Sequence, residues 1–295
     1  MSTDTVMQDF EQLLGAVRPR LHRYCARMTG STTDGEDVVQ EALIKAFAAR
    51  PSSGTIDNAE AWLLRIAHNC ALDLLRSRTR QLVTEAEEDF ELVPAPDAPD
   101  PDIVTTSLQR FMPLPALQRS AVILKDVLGH SLEEAAAITD TSETALKSAL
   151  QRGRARLRAA AQQLEAATAP EISGTARARL IAYVDGFNQG DFDAVRAMLA
   201  EDVRLDLVAK FKRRGREEVG EYLGRYAASR QWAFAAGLID DRPAMLVYER
   251  AASAGKSAGK PVYFVALDIE EDQIVSVRDF LFARYAMEGL EPRTV

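Results

Sequence analysis

Lys147, Arg152, Arg154, Arg156 and Arg158 fall within one short segment that contains no acidic residue. Such a cluster suits an electrostatic contact with a polyanion. Upstream, Ser131 and Glu134 have the spacing of a capping box, which predicts a short helix from Ser131 through Ile138. Thr139-Asp140-Thr141 reads as a tight turn, with Thr141 capping a second helix and Glu143 in its first turn. On that second helix Leu146, Leu150 and Leu157 face inward, while Lys147, Ser148, Gln151 and Arg152 project outward. Short hydrogen-bonding side chains beside Lys and Arg suit base edges in a major groove. Arg154, Arg156 and Arg158 are expected near phosphates, or packed by their aliphatic stems. A basic helix that merely faces solvent is the competing reading. The capped helix pair favours a helix-turn-helix that binds DNA.

Other chemistry is sparse. His22, His68 and His130 are scattered, and none has a second ligand at metal spacing. Cys25 and Cys70 stand among apolar neighbours in helical patterns and read as buried free thiols. No metal and no cofactor are expected. The stretch Ala254-Gly-Lys-Ser-Ala-Gly-Lys260 lacks the spacing of a phosphate loop and reads as a hairpin-like connection. Asp206, Asp268 and Asp279 are available as carboxylates, but nothing in their spacing marks a catalytic base. No catalytic residue is assigned, and the chain is expected not to be an enzyme.

The elements that position these residues belong to more than one domain, as 295 residues suggest. A hydrophobic share of 47% and a charged share of 27% fit a globular chain, and no apolar run approaches the ~18 residues of a membrane span. The polar, acidic start at Met1 to Phe10 lacks the look of a secretory signal, so a cytoplasmic location without membrane contact is expected. The net charge of −8 does not exclude DNA, because local charge governs the contact. Asp34 to Ala49 reads as a helix burying Val38, Val39, Ala42, Ala46 and Phe47, with Asp37, Gln40, Glu41 and Ile44 opposite. Ala59 to Arg80 buries Leu63, Ile66, Ala67, Cys70 and Leu74, leaving Arg65, Asn69, Asp73, Arg76 and Arg80 exposed. Between them lies the polar loop Pro51 to Asn58. Trp62 reads as a core residue in preference to a stacking platform. The acidic stretch at 83–106 carries four prolines and cannot bury a core, so it reads as a linker.

From about Ile172 the pattern changes. Helices at about Ala176 to Asn188, Phe192 to Ala200 and Arg216 to Ser229 accompany strands at Val203 to Leu207, Trp232 to Leu238, Ala244 to Arg250, Val262 to Ile269 and Ile274 to Phe282. Asp240-Asp241-Arg242-Pro243 and Glu271-Asp272 supply hairpin turns, and helices followed by an antiparallel sheet give an α+β unit.

Three segments carry a resemblance. Met112-Pro-Leu-Pro-Ala-Leu-Gln-Arg-Ser-Ala-Val-Ile-Leu-Lys-Asp-Val-Leu-Gly-His-Ser-Leu-Glu-Glu-Ala-Ala, closing with Ser-Ala-Leu-Gln-Arg-Gly-Arg-Ala-Arg-Leu157, resembles region 4 of bacterial sigma factors. Asp34-Gly-Glu-Asp-Val-Val-Gln-Glu-Ala-Leu-Ile-Lys-Ala-Phe47 resembles region 2.2, and Asn58 through Arg76 resembles the region 2.3 to 2.4 helix. The order and spacing are those of an extracytoplasmic-function sigma factor. The resemblance implies that Asp37, Gln40, Glu41 and Ile44 bind the clamp helices of the largest subunit of core RNA polymerase, with a further contact on the flap. It implies −10 promoter DNA binding by Arg65, Asn69, Arg76 and Arg80 and by the loop before their helix. Lys147, Ser148, Gln151 and Arg152 would read the −35 element. The acidic linker either threads the polymerase channels as a phosphate mimic or is a plain tether.

The last third, with Phe187-Asn-Gln-Gly-Asp-Phe-Asp193 and Leu199-Ala-Glu-Asp-Val203, resembles a SnoaL-like, nuclear-transport-factor-like cone. Trp232, Phe234, Tyr248, Phe264 and Phe280 are expected to line its pocket, together with Tyr263 and Phe282, and a small-molecule ligand is a further expected partner. Some sigma factors with this appended domain carry an Asp-Gly-Gly-Gly-Lys motif that this chain lacks. The expected layout is therefore an all-α region 2 at 1–82, the linker at 83–106, an all-α region 4 at 107–167 and the SnoaL-like domain at 172–290. Two alternatives stand: a helix-turn-helix regulator acting without polymerase, and a small-molecule enzyme or ligand sensor fused to a DNA-binding module.

Overall fold

The computed structural model describes residues 3–49, 58–81, 107–163, 172–228, 231–250 and 259–295. The chain divides into two compact units, Met1–Ala167 and Thr168–Val295. The expected linker at 83–106, residues 51–57 of the expected −10 loop and residues 254–258 of the Gly-Lys stretch lie outside the described residues.

The first unit is helical. Helix α1 spans Thr3–Thr29, α2 Thr32–Ala49 and α3 Ala59–Gln81. Val38, Val39, Ala42 and Ala46 of α2 are buried at the three-and-four spacing of an inward helix face. Gly35 lets α2 approach α1 closely, since a Cβ there would lie 2.5 Å from the Ala26 backbone nitrogen. Leu63, Leu64, Ala67 and Cys70 form the inward face of α3, and Trp62 packs half-buried against the same core.

A 3₁₀ turn, Leu108–Phe111, leads to α4 (Ala116–Val122), which widens into a π turn at Ile123–Val127. Two further helices follow, α5 (Leu132–Thr139) and α6 (Glu143–Gln163). Helices on both sides of residues 82–106 share one core, in which Leu21, Met28, Val39 and Leu64 join Phe111, Val122, Ile138 and Leu146. Polar bonds stitch the same seam. Arg119 donates to the carbonyls of Met28 (2.5 Å), Met112 (2.8 Å) and Leu114 (2.9 Å), and burial pushes its pKa down to about 10. The Tyr24 hydroxyl bonds His68 Nδ1 at 2.7 Å and Ser120 Oγ at 3.1 Å.

The second unit places α7 (Gly174–Gln189), α8 (Phe192–Ala197) and α9 (Arg216–Gly224) with a seven-stranded sheet. Its strands are β1 (Leu199–Leu207), β2 (Phe211–Arg214), β3 (Trp232–Ile239), β4 (Arg242–Glu249), β5 (Tyr263–Glu270), β6 (Gln273–Asp279) and β7 (Arg293–Thr294), ordered β2-β1-β6-β5-β4-β3-β7. The sheet is not wholly antiparallel as expected: β1 pairs in parallel with β6, because the chain leaves β1 and returns to its other side only after the β3–β5 meander. The two hairpin turns fall where the sequence puts them. Asp240 and Asp241 have φ of 49° and 63°, Glu271 and Asp272 of 45° and 67°, as tight two-residue hairpins require. Strands β2 and β7 were not expected; each is short and lies at a sheet edge.

Alternation along the strands splits this unit into two apolar clusters. Met245, Val247, Tyr263 and Val265 face the helices, while Ala244, Leu246, Phe264 and Phe280 face the other way. No helix among the described residues is long and apolar enough to cross a membrane.

Candidate nucleic-acid interface and C-terminal cavity

The helix pair α5–α6 is built from its caps. Ser131 Oγ accepts from Glu134 N at 3.0 Å and Glu134 Oε2 accepts from Ser131 N at 2.8 Å, which closes the capping box. The Ser131 backbone N–H on the carboxylate, with a smaller contribution from the Ser131 hydroxyl, holds Glu134 below the usual carboxylate range. Asp140 ends α5 in the left-handed conformation. Ser142, not the expected Thr141, caps α6, its Oγ accepting from Ala145 N at 3.2 Å. The turn runs one residue longer than the sequence suggested, because Asp140 takes up the left-handed position and Thr141 follows it.

Leu146 and Leu150 anchor α6 in the core, leaving Lys147, Ser148 and Arg152 exposed and Gln151 half-buried. Neither Lys147 nor Arg152 joins an ion pair among the described residues. Arg154 behaves differently. Its guanidinium grips the Asp126 carboxylate through Nε (2.9 Å) and Nη2 (2.6 Å), with side-chain exposures of only 3% and 0%. Of the two roles expected for Arg154 the phosphate contact is thereby corrected: the side chain locks α6 to the π turn that carries Asp126. Gly153 beside it lets α6 close onto α4, since a Cβ there would meet Val122 at 2.8 Å.

On α2, Asp37 and Glu41 are exposed, Gln40 is half-buried, and Ile44 is 66% exposed. Phe47, expected in the core, is 46% exposed. It lies one turn from Ile44 and extends the same outward apolar strip. Glu41 pairs with Lys45 at 2.7 Å. Glu36, by contrast, is buried and ion-paired with Arg18, a contact that crosses from α2 to α1.

On α3, Arg65, Asn69 and Arg76 are exposed; Arg80 lies on the helix but outside the described side chains. Arg76 sits 3.4 Å from Asp73, and Arg65 reaches 3.4 Å to Asp140 in the turn between α5 and α6. The helix face expected to hold −10 DNA thus touches the element expected to hold −35 DNA. His68, Leu72, Leu75 and Arg76 line a groove against Ala116, Leu117 and Thr139 along this seam. Burial, with a smaller effect of Arg76, lowers the His68 pKa to about 4, so the imidazole is neutral where its Nδ1 bonds the Tyr24 hydroxyl.

In the second unit a cavity of about 410 Å³ opens between α9, β1, β3 and the segment after β6, lined by Leu207, Lys210, Phe211, Tyr222, Arg225, Tyr226, Gln231, Trp232, Leu281 and Phe282. Trp232 and Phe282 are in this wall; the other aromatics named above are placed elsewhere. Phe264 and Phe280 stack on each other 4.2 Å apart on the opposite face of the sheet, and Tyr248 packs beside them. Phe234 sits in an aromatic cluster with Phe187 and Tyr226.

Asp279 is fully buried next to the cavity wall and accepts from Tyr222 Oη (2.7 Å), Tyr226 Oη (2.5 Å) and Leu281 N (2.9 Å). Burial raises its pKa despite these three donors. Tyr263 Oη donates onward to Tyr226 Oη at 3.3 Å. Asp206 is held by Lys212 at 3.6 Å and Arg278 at 3.3 Å, and Asp268 is exposed. Of the three candidate carboxylates only Asp279 adjoins the cavity, and its donors hold it as a brace between β6 and α9. The described residues bring together no three His, Cys, Asp or Glu side chains that could hold a metal ion.

Comparison with known proteins addresses the whole pattern. A model described as Sigma-70 region 2 matches residues 13–81, and one described as Sigma-70, region 4 matches residues 112–157. The ECF RNA polymerase sigma factor SigE of Mycolicibacterium smegmatis is 34% identical over 161 residues, covering 52% of this chain and 61% of SigE. SigM of Mycobacterium tuberculosis is 35% identical over 150 residues, covering 50% of this chain and 74% of SigM. The chain thus spans less than two thirds of SigE. Among solved structures, the extracytoplasmic function sigma factor SigJ of Mycobacterium tuberculosis is 22% identical with a TM-score of 0.36, over 92% of this chain and 95% of SigJ. The 35% identity to SigM over 74% of its length, with the two matched regions in this order, places the chain in the family of ECF RNA polymerase sigma factors.

Proposed function

We propose that this chain is a bacterial transcription initiation factor that binds core RNA polymerase and directs it to specific promoters. The observation that carries this reading is the outward face of α6, where Lys147, Ser148 and Arg152 stand on a helix capped by Ser142 with no acid paired to either cation among the described residues. On this reading Lys147, Ser148, Gln151 and Arg152 contact the −35 element. Asp37, Gln40, Glu41 and Ile44, with Phe47 added, dock on the clamp helices, and region 4 meets the flap. An apolar strip rimmed by carboxylates suits a basic helical partner. Arg65, Asn69, Arg76 and Arg80 hold −10 DNA, and the Arg65–Asp140 contact must break for Arg65 to do so.

The C-terminal unit regulates, and its SnoaL-like cavity is a ligand site without chemistry of its own. Asp279, whose tyrosine donors line the cavity, already accepts three hydrogen bonds, which leaves it a poor general base. A regulator acting without polymerase would leave the exposed Ile44–Phe47 strip without a role.

Run-off transcription with core polymerase tests the proposal, comparing the full chain with a fragment ending at Ala167, the limit of the first unit. Promoter DNA from upstream of the chain's own gene is the template. Promoter-dependent transcript is the expected result, and the fragment's relative yield reports whether the second unit activates or restrains. No transcript and no binding to core polymerase would overturn the reading.

A further inference from the structure

The cavity of the second unit has a polarity that selects among ligands. Its volume of about 410 Å³ lies in the range of small-molecule sites. Phe211, Trp232, Leu281 and Phe282 give it apolar walls, and Phe282 remains 53% exposed, a large apolar surface left to water at the edge of the cavity. The polar groups are of two kinds. Tyr222 and Tyr226 line the cavity, but both hydroxyls donate to Asp279, so neither proton is free for a ligand.

Lys210 and Arg225 are different. Both are exposed, and neither meets a carboxylate among the described residues. Instead the Lys210 ammonium sits 4.8 Å from the centre of the Phe282 ring, and the Arg225 guanidinium 6.0 Å from that of Tyr222. A ring face attracts a cation without cancelling its charge. The lining therefore presents net positive charge on its aromatic walls, while Asp279 is buried behind the tyrosines that bond it.

We propose that this cavity binds a small organic anion, a carboxylate carried on an aromatic body, with the carboxylate at Lys210 and Arg225 and the rings against Phe211, Trp232 and Phe282. The orientation follows from the two charges: Lys210 and Arg225 attract the carboxylate toward solvent, and Asp279 keeps a second negative group out of the interior. The apolar body then covers Phe282. Nothing in this assignment depends on polymerase or DNA, so its failure and that of the initiation reading are separate events.

Titration calorimetry of the full chain with 2-naphthoate tests it, against neutral naphthalene-2-carboxamide and against inorganic phosphate. One site for 2-naphthoate is expected, with both comparison compounds weaker by about tenfold or more. In the double variant Lys210→Gln, Arg225→Gln, 2-naphthoate affinity should fall by about tenfold while that for the carboxamide holds. Both substituted side chains are exposed, so an unchanged melting temperature should verify that the variant is folded. Carboxamide binding as tight as naphthoate would reduce the site to a plain apolar hole. Phosphate binding as tight would deny the walls a role. Undiminished naphthoate binding by the double variant, or none by the native chain, would overturn the assignment outright.

Discussion

Arg152 and Arg154 stand two positions apart on α6 and meet opposite surroundings. Arg152 points to solvent with no acid paired to it among the described residues, so its removal should leave the fold intact. Arg152→Ala is expected to weaken −35 promoter binding by ~1–3 kcal/mol, roughly five- to 150-fold, with core polymerase affinity unchanged. Equal losses in mobility-shift and core-binding assays would assign it a structural role. Arg154→Ala instead strands the Asp126 carboxylate, whose side chain has no exposure. The expected cost is ~3–5 kcal/mol of unfolding free energy, read by denaturant melts. Spacing separated the two only in part. Both belong to one basic run, and the partner that buries Arg154 lies twenty-eight residues back, on a π turn that no local pattern announces.

At the scale of elements, what was legible was what is local. The Ser131–Glu134 capping box, the left-handed pairs Asp240-Asp241 and Glu271-Asp272, and the inward faces of α2 and α3 are each encoded within a few residues of themselves. Ser131→Ala should therefore cost ~1 kcal/mol and lower the melting temperature of the first unit by about 2–4 °C. A shift within error would mean that the core alone holds α5. Pairing between distant strands was less legible, since β1 finds its parallel partner β6 some seventy residues on. The misplaced pocket aromatics had a readable signal all the same. Tyr263 and Phe264 are adjacent on one strand and must face opposite sides of the sheet, so at most one of them can look into any given cavity. On α2 the helical period sent Phe47 inward, whereas the observed face turns it out beside Ile44. Ile44→Asp should abolish a ~2 kcal/mol anchor, weakening core polymerase binding by about thirtyfold at an unchanged melting temperature. Unaltered core binding would remove the α2 strip from the interface.

At the scale of the whole molecule, the two units carry buried titratable groups of opposite sense. In the first, His68 is neutral with a pKa lowered to about 4 by burial, and His22 is lowered by burial too. A base with a depressed folded pKa binds fewer protons folded than unfolded, so its contribution is full above the unfolded value and fades as pH falls below it. In the second unit, Asp279 has a raised pKa because burial outweighs its three hydrogen bonds. An acid of that kind costs stability while ionised, and the cost is relieved as pH falls through its folded value toward the unfolded one. Acidification should thus weaken the unit of Met1–Ala167 while sparing or strengthening that of Thr168–Val295. Scanning calorimetry from about pH 7.5 down to about pH 5.0 is expected to show two transitions whose separation changes, the first unit's moving down relative to the second's. His68→Gln, which keeps a hydrogen-bonding partner for the Tyr24 hydroxyl, should flatten the first unit's slope, and Asp279→Asn the second's. A single transition that shifts as one would mean that the two units unfold as one cooperative body, despite their separate apolar cores.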